Sequence, residues 1–374
     1  MEIRQYIKMA FQNLILPAVY RLCCLRRVDP SLVVFADAHH DSRPENLQLL
    51  YERCAGTRLT VAEIYLDYQK NPPLKVFGSM LAFMRLYARA GTVVICDNFL
   101  PVAGCKKRAA TKVVQLWHAC GSLKRFGYDT TDDIPAAYRG NVFRNTDLVT
   151  VSAPRCEKPF ASAMRLPLSH VKALGVSRTD RYFDPAWRAL SRARFAKAFP
   201  EAAGKKIALW APTFRGSPAA PKSIPFDVSA LERALGEDWK VIVSTHPHMK
   251  DGRVRVTTEE LFVAADCLIA DYSSLLFEYL LVAKILEEEP GQKDKRLVMY
   301  TPDYEDYVSR RGFYMPYEDI PGVRVGTFDE LAGAVLGKAG KVQGMERDAF
   351  LETYMAACDG KSTKRILKWI LRKR

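Results

Sequence analysis

The sequence predicts an α/β protein built from two Rossmann-like halves. Three observations carry this expectation. Short apolar, β-branched runs alternate with helical stretches, as βαβ units and a parallel sheet require. The runs fall into two sets, before and after about residue 185. At 374 residues the chain also has room for two domains of ordinary size.

The elements follow in chain order. Ile3, Tyr6, Ile7, Ala10, Phe11 and Leu14 recur at helical spacing, with Arg4, Lys8, Arg21, Arg26 and Arg27 around them. This predicts an amphipathic basic helix at the start, without the charge and cleavage order of a signal peptide. Residues 31–36, 92–96, 112–117 and 147–151 read as buried strands of the first half. Residues 206–210, 239–243 and 267–270 read as strands of the second. Helical patterns over 45–54 and 185–199 lie between them. A linker is placed near 183–200, giving domains 1–184 and 185–374. The acidic stretch 287–295 interrupts an apolar pattern and reads as an exposed loop. The last eleven residues, with Trp369 among six basic side chains, form a second basic amphipathic helix. Either end fits an anionic bilayer, or a helix packed on the protein with a solvated basic face.

Composition narrows the function. Hydrophobic residues at 48% and charged residues at 26% exclude a disordered or collagen-like chain. Fifty-six Lys and Arg against 42 Asp and Glu leave a net charge of +14, which calls for an anionic partner. Nine cysteines without CxxC spacing indicate neither a disulfide framework nor a zinc site. No apolar run has the length of a membrane span. No zinc-finger, RNP or KH signature accompanies the charge, so nucleic acid is not the expected partner.

Four strand ends carry candidate chemistry. The strand ending at Trp117 runs into His118, then Gly121, Lys124 and Arg125. A histidine there suits proton transfer, because imidazole titrates near neutral pH. Lys124 and Arg125 suit neutralisation of developing charge. The same histidine also suits a turn that it merely closes. Arg215, after the 206–210 strand, fits bidentate phosphate contact or a surface ion pair. His246 follows the 239–243 strand; with Pro247 between it and His248 it is a poor metal pair, and a phosphate contact suits it better. After the 267–270 strand come Asp271, Tyr272, Ser273 and Ser274, then an apolar helix. Its free N–H groups and dipole favour an anion, and the same residues fit ordinary capping. Arg178 stands in a further turn, 175–180, suited to cleft support or to capping a helix. No Walker A loop, GxGxxG, HExxH or GxSxG is present. In open α/β sheets ligands lie at the carboxyl ends of strands, where all these residues fall.

Taken in order, these segments resemble the CDP-glycerol glycerophosphotransferase family of teichoic-acid synthesis. The matching pieces are Trp117-His118 with Leu123 to Asp129; Gly175 with Ser177 to Asp180; and Ala211 to Arg215. They continue with His246-Pro247; Asp266 to Ser274; Tyr300 to Asp303; Arg311 to Tyr314; and Asp359-Gly360 with Ser362 and Arg365. The resemblance spans about residues 90–368.

It implies a glycosyltransferase-B-like fold, with two Rossmann-like domains facing a cleft. The first would take the acceptor and the second the CDP-alcohol donor. It implies transfer of glycerol phosphate, or a related polyol phosphate such as ribitol phosphate, from CDP-glycerol or its analogue, with release of CMP. The acceptor would be a lipid-linked saccharide at the cytoplasmic face of the membrane, and the basic ends would hold the enzyme there peripherally. His118 would be the base and His246 a donor-phosphate contact. Ser273, Ser274, Asp271, Arg215 and Arg178 would hold the donor phosphates, and Lys124 and Arg125 would stabilise charge. No metal site or further cofactor is assigned, and homo-oligomer contacts through the acidic insert stay open. The length matches priming members better than polymerases. The sequence departs from the family where His118-Ala119-Cys120-Gly121 replaces a tighter His-Gly turn, and where Ser244-Thr245 replaces a basic residue before His-Pro. The rival enzyme of this fold is a nucleotide-sugar transferase; the rival of another class is a non-catalytic membrane-surface protein.

Overall fold

The computed structural model describes residues 11–131, 133–134, 140–213, 215–217, 220–222, 224–244, 256–289, 295–338, 340 and 342–372, with backbone alone at 12, 215–217, 220–222 and 343. The chain divides into two compact units.

The first unit holds a six-stranded parallel sheet in the order β2-β1-β3-β4-β5-β6. Its strands are β1 (Asp29–Asp37), β2 (Thr60–Tyr65), β3 (Ala90–Ile95), β4 (Lys112–Gln115), β5 (Leu148–Thr150) and β6 (Val171–Lys172). Every residue of β3 and β4 is buried, the polar Thr92, Lys112 and Gln115 included, because both sheet faces are covered. Along β1 the side chains alternate. Val34 and Ala36 join Tyr20, Phe83 and Tyr87 from the Leu16–Cys23 and Pro73–Tyr87 helices. Val33 and Phe35 join Leu47 and Leu50 from the Glu45–Ala55 helix on the other face.

That second face is completed by the end of the chain. The Ser362–Leu371 helix buries Ile366 and Ile370 in the same cluster. Full burial of two such side chains contributes roughly 1.5–3 kcal/mol each. Both helix ends are tied down within the first unit. The Asp180 carboxylate accepts from the Ser362 and Thr363 N–H groups, at 2.9 and 2.7 Å. The buried Lys112 ammonium donates to the Ile370 carbonyl at 2.7 Å and to those of Trp369 and Arg372. Anion at the N-terminus and cation at the C-terminus both complement the helix dipole. This corrects one expectation. Residues 356–374 belong with the first unit, so the second domain does not run over 185–374. Ile366 and Ile370 of the last helix are spent on the core, while Leu371 stays exposed beside its basic face.

The second unit comprises residues 119–125 and 181–355. Its sheet runs β10-β7-β11-β12-β13-β14. The strands are β7 (Lys206–Ala211), β10 (Trp239–Val243), β11 (Cys267–Ala270), β12 (Arg296–Tyr300), β13 (Gly322–Val325) and β14 (Val342–Gln343), with a separate hairpin of β8 (Arg215–Ser217) and β9 (Ala220–Lys222). All pairings in the six-stranded sheet are parallel except β13 with β14. Residues 183–200 are not a linker: Asp184 caps a Pro185–Ala198 helix that packs on the Thr258–Ala264 helix inside this unit. The Leu275–Glu287 helix is buried for most of its length, as its largely apolar sequence requires.

Both units share one topology. In each, the chain builds a strand, adds the next on one side, and returns to the other side for the third. The carboxyl ends of β1 and β3, and of β7 and β11, are therefore topological switch points, where open α/β sheets bind ligands.

Candidate active site

The switch point of the first unit collects histidines and carboxylates. β1 ends in buried Asp37, followed by His39 and His40; β3 is followed by Asp97; and β4 leads through Trp117 to His118. His118 Nδ1 faces Asp97 Oδ2 at 3.3 Å. The His118 side chain is 44% exposed. Asp97 Oδ2 also lies 3.8 Å from His39 Nδ1. Asp37 Oδ2 accepts from the His39 N–H at 2.7 Å and stands 2.8 Å from His40 Nδ1. Burial alone would raise Asp37, but the imidazoles and the His39 amide outweigh it and hold the carboxyl well below the usual range. The Asp37 carboxylate pushes His39 up to about 8 against the effect of burial, and the charges of Asp97 and Asp67 add to it.

The backbone before His118 is unusual. Trp117 has φ of 56°, a left-handed conformation that a bulky side chain rarely adopts. Such strain persists only where neighbours over-determine it. The Trp117 ring stacks on His118 with centroids 4.4 Å apart, and packs on Phe126, Phe143 and Phe160.

Immediately after His118 the chain passes to the second unit. Gly121 has φ of 65°, and a Cβ there would stand 2.4 Å from the Phe277 ring, so the turn needs glycine. Lys124 pairs with Phe313 in an antiparallel bridge. The Arg125 N–H donates to the Gly312 carbonyl at 3.2 Å, and Arg311 Nε donates to the Arg125 carbonyl at 3.0 Å. Lys124 and Arg125 are thus joined to the Arg311 to Tyr314 segment, two stretches nearly two hundred residues apart in sequence.

At the switch point of the second unit, Asp271 is fully buried. Its Oδ1 accepts from the Thr213 N–H at 2.9 Å, tying the end of β11 to the end of β7. Tyr317 Oη donates to the Asp271 carbonyl at 3.0 Å. Tyr272 stacks on Tyr307 at 3.8 Å and donates to Asp303 at 3.1 Å. This frame presents Ser273 and Ser274, both half-buried, at the start of the Leu275–Glu287 helix. Ser273 Oγ accepts from the Leu275 N–H at 3.3 Å, and Ser274 makes no side-chain cap bond. The start of a long helix, with two part-exposed serines just ahead of it, suits an anion.

Arg178 stands in the turn that follows β6. It is buried in the first unit and donates to Asn46 Oδ1. Its turn contacts the chain's end: Gly175, at φ of 87°, lies so close to Ser362 and Ala357 that a Cβ would stand 2.1 Å from Ser362 Oγ. Arg365 donates to the Leu174 carbonyl at 2.9 Å and to Asp359 at 2.8 Å. The 175–180 and 359–365 segments form one clasp for the terminal helix. His246 lies outside the described residues, as does the Arg215 side chain. Sequence reasoning missed Asp97, Asp37 and His39; their signal is their place directly after two apolar strands. Among the described residues, no three His, Cys, Asp or Glu side chains stand where they hold a metal ion, and no helix is long and apolar enough to cross a membrane.

The family described as CDP-glycerol:poly(glycerophosphate) glycerophosphotransferase matches residues 18–372. A teichoic acid ribitol-phosphate primase of Bacillus spizizenii is 30% identical, over 93% of each chain. A teichoic acid glycerol-phosphate primase of Bacillus subtilis is 29% identical over 70% of this chain and 67% of the relative. The chain spans only 48% of a B. spizizenii poly(ribitol-phosphate) polymerase, to which it is 30% identical. Among solved structures, the wall teichoic acid polymerase TagF aligns over 99% of this chain and 97% of that chain, with a TM-score of 0.68 at 18% identity. The fold is glycosyltransferase-B-like, with two parallel-sheet α/β units.

Proposed function

This chain belongs to the CDP-glycerol:poly(glycerophosphate) glycerophosphotransferase family and is an enzyme of teichoic-acid-type polymer synthesis, and from that premise we propose that it is a primase. It moves one polyol phosphate from a CDP-alcohol to a hydroxyl of a membrane-lipid-linked saccharide and releases CMP. The donor is CDP-glycerol by the family's description; the full-length ribitol-phosphate relative favours CDP-ribitol as the second reading. The observation that carries the proposal is the His118–Asp97 pair at a switch point, with the His118 side chain partly exposed.

The acceptor hydroxyl attacks the phosphorus that carries the polyol. Its proton passes to His118 Nε2, while Asp97 faces Nδ1 and fixes the ring. The bond from that phosphorus to the CMP oxygen breaks, and CMP leaves as a phosphate that needs no protonation. Ser273, Ser274 and the helix start behind them hold the donor phosphates, and Asp271 organises that turn. Lys124 and Arg125 supply positive charge. His246 and Arg215 are assigned to the donor phosphates by resemblance alone.

The enzyme works peripherally at the cytoplasmic membrane face. Leu14, Ile15, Leu22 and Leu25 are exposed on and around the Leu16–Cys23 helix, and Leu74 and Phe77 on the Pro73–Tyr87 helix packed against it. Arg21, Arg26, Arg27 and Lys75 border them. Apolar side chains in a basic rim suit an anionic bilayer. Replacing Leu25 and Leu74 with Ser reduces co-sedimentation with anionic vesicles if this surface docks; unchanged binding removes it.

The reaction is tested by measuring CMP from CDP-glycerol and CDP-ribitol side by side, with a lipid-linked disaccharide and product masses. One added polyol phosphate supports the primase reading, and a ladder makes the enzyme a polymerase. Turnover of a nucleotide sugar, with no CMP from either donor, overturns it.

A further inference from the structure

A buried side chain beneath His118 has two bonds that converge on the proposed base. Gln115 is the last residue of β4 and is 1% exposed. Its Oε1 accepts from the Trp117 N–H at 3.0 Å. Its Nε2 donates to the Asp97 carbonyl at 2.9 Å. One amide therefore grips both backbones whose side chains meet at His118 and Asp97. A strand interior does not require this. A glutamine in a buried parallel strand costs free energy unless both ends of its amide are satisfied, and here the partners are the two loops of the candidate site. The bond to Trp117 is also local: it reaches only two residues ahead and fixes the N–H of the residue with φ of 56°.

We propose that Gln115 is a positioning residue that sets the direction of the His118 ring by clamping the left-handed Trp117 and the Asp97 loop together. The proposal rests on the reading of His118 as the base. Without the clamp, Trp117 relaxes toward an ordinary backbone conformation and carries the attached His118 away from Asp97. Displacement of a reacting group by about 1 Å costs on the order of 100-fold in rate. Donor binding, assigned to the second unit, is spared.

The test uses the full-length enzyme with Gln115→Met, which keeps length and volume but removes both bonds, and Gln115→Asn, which keeps an amide but withdraws it by one methylene. Folding is checked by thermal unfolding. kcat and the KM for CDP-glycerol are measured, and the ring nitrogens of His118 are read by ¹⁵N NMR. The expected result is a fall in kcat of roughly 100-fold with KM changed less than about threefold. The His118 signals should move from one tautomer, with the proton on Nδ1 toward Asp97, to a mixture. Wild-type kcat in a folded variant overturns the proposal, and so does an unchanged His118 tautomer. A loss of kcat matched by an equal rise in KM also overturns it, since that is general disruption. His118→Ala is run in parallel. Its full activity would remove His118 as the base, while the tautomer reading would still decide whether Gln115 orients the ring.

Discussion

His118 Nδ1 lies 3.3 Å from Asp97 Oδ2, although the two residues follow different strands and stand twenty-one positions apart. The parallel pairing of β3 with β4 makes this meeting unavoidable: Ile95 is in register with Gln115, so the residues two and three further on leave the sheet side by side. A carboxylate facing Nδ1 leaves Nε2 as the proton acceptor.

Asp97→Asn tests that role. The amide keeps the shape but not the charge or the acceptor pair. kcat should fall by roughly 100-fold or more, with the KM for CDP-glycerol little changed. Steady-state CMP release measures both, and an equal kcat would show that Asp97 only lines the loop.

The serines at the second switch point should act on binding. The double variant Ser273→Ala and Ser274→Ala removes two hydroxyls from the helix start and leaves the backbone N–H groups. We expect the donor KM to rise about tenfold or more, with kcat changed less. Isothermal titration with CDP-glycerol checks this directly. Unaltered affinity would show that neither hydroxyl holds the donor.

Gly175→Ala should loosen the far end of the chain. Its φ of 87° and the 2.1 Å approach of Ser362 Oγ leave no room for a methyl group. A loss of about 2–4 kcal/mol is expected. Hydrogen exchange should show the Ser362–Leu371 helix opening first, since Asp180 and Lys112 no longer meet its ends correctly. Intact protection there would contradict the clasp.

Stability should depend on pH through His39. Its ionisation is raised from the ordinary histidine value to about 8 in the fold, chiefly by Asp37. A raised histidine contributes fully below about pH 6.5, and the contribution fades as pH rises through about 8. His39→Gln should therefore lower the melting temperature at pH 6 and match the wild type at pH 9. A constant gap across that range would remove His39 from the account.

Much of this was legible in the sequence, and the gaps have physical causes. β3 announces itself because burial on both faces favours a nearly continuous apolar run, and Val113 and Val114 do the same for β4. β2 does not, because its residues are only half-covered and include Glu63. His118, Ser273 and Ser274 stand out by residue type at strand ends. Asp97 and Asp37 do not, since their importance comes from which strands lie side by side. The last helix misleads for a different reason. An apolar stripe reads the same whether it faces lipid or Leu47 and Leu50, and only the fold shows that Ile366 and Ile370 are already covered.

The most direct test of the account is CMP release and product mass with His118→Ala beside the wild type, both shown to be folded. The account predicts a wild-type product larger by one polyol phosphate, and a variant that binds CDP-glycerol normally yet turns over at least about 100-fold more slowly. A His118→Ala enzyme that forms the same product at the wild-type rate would contradict it.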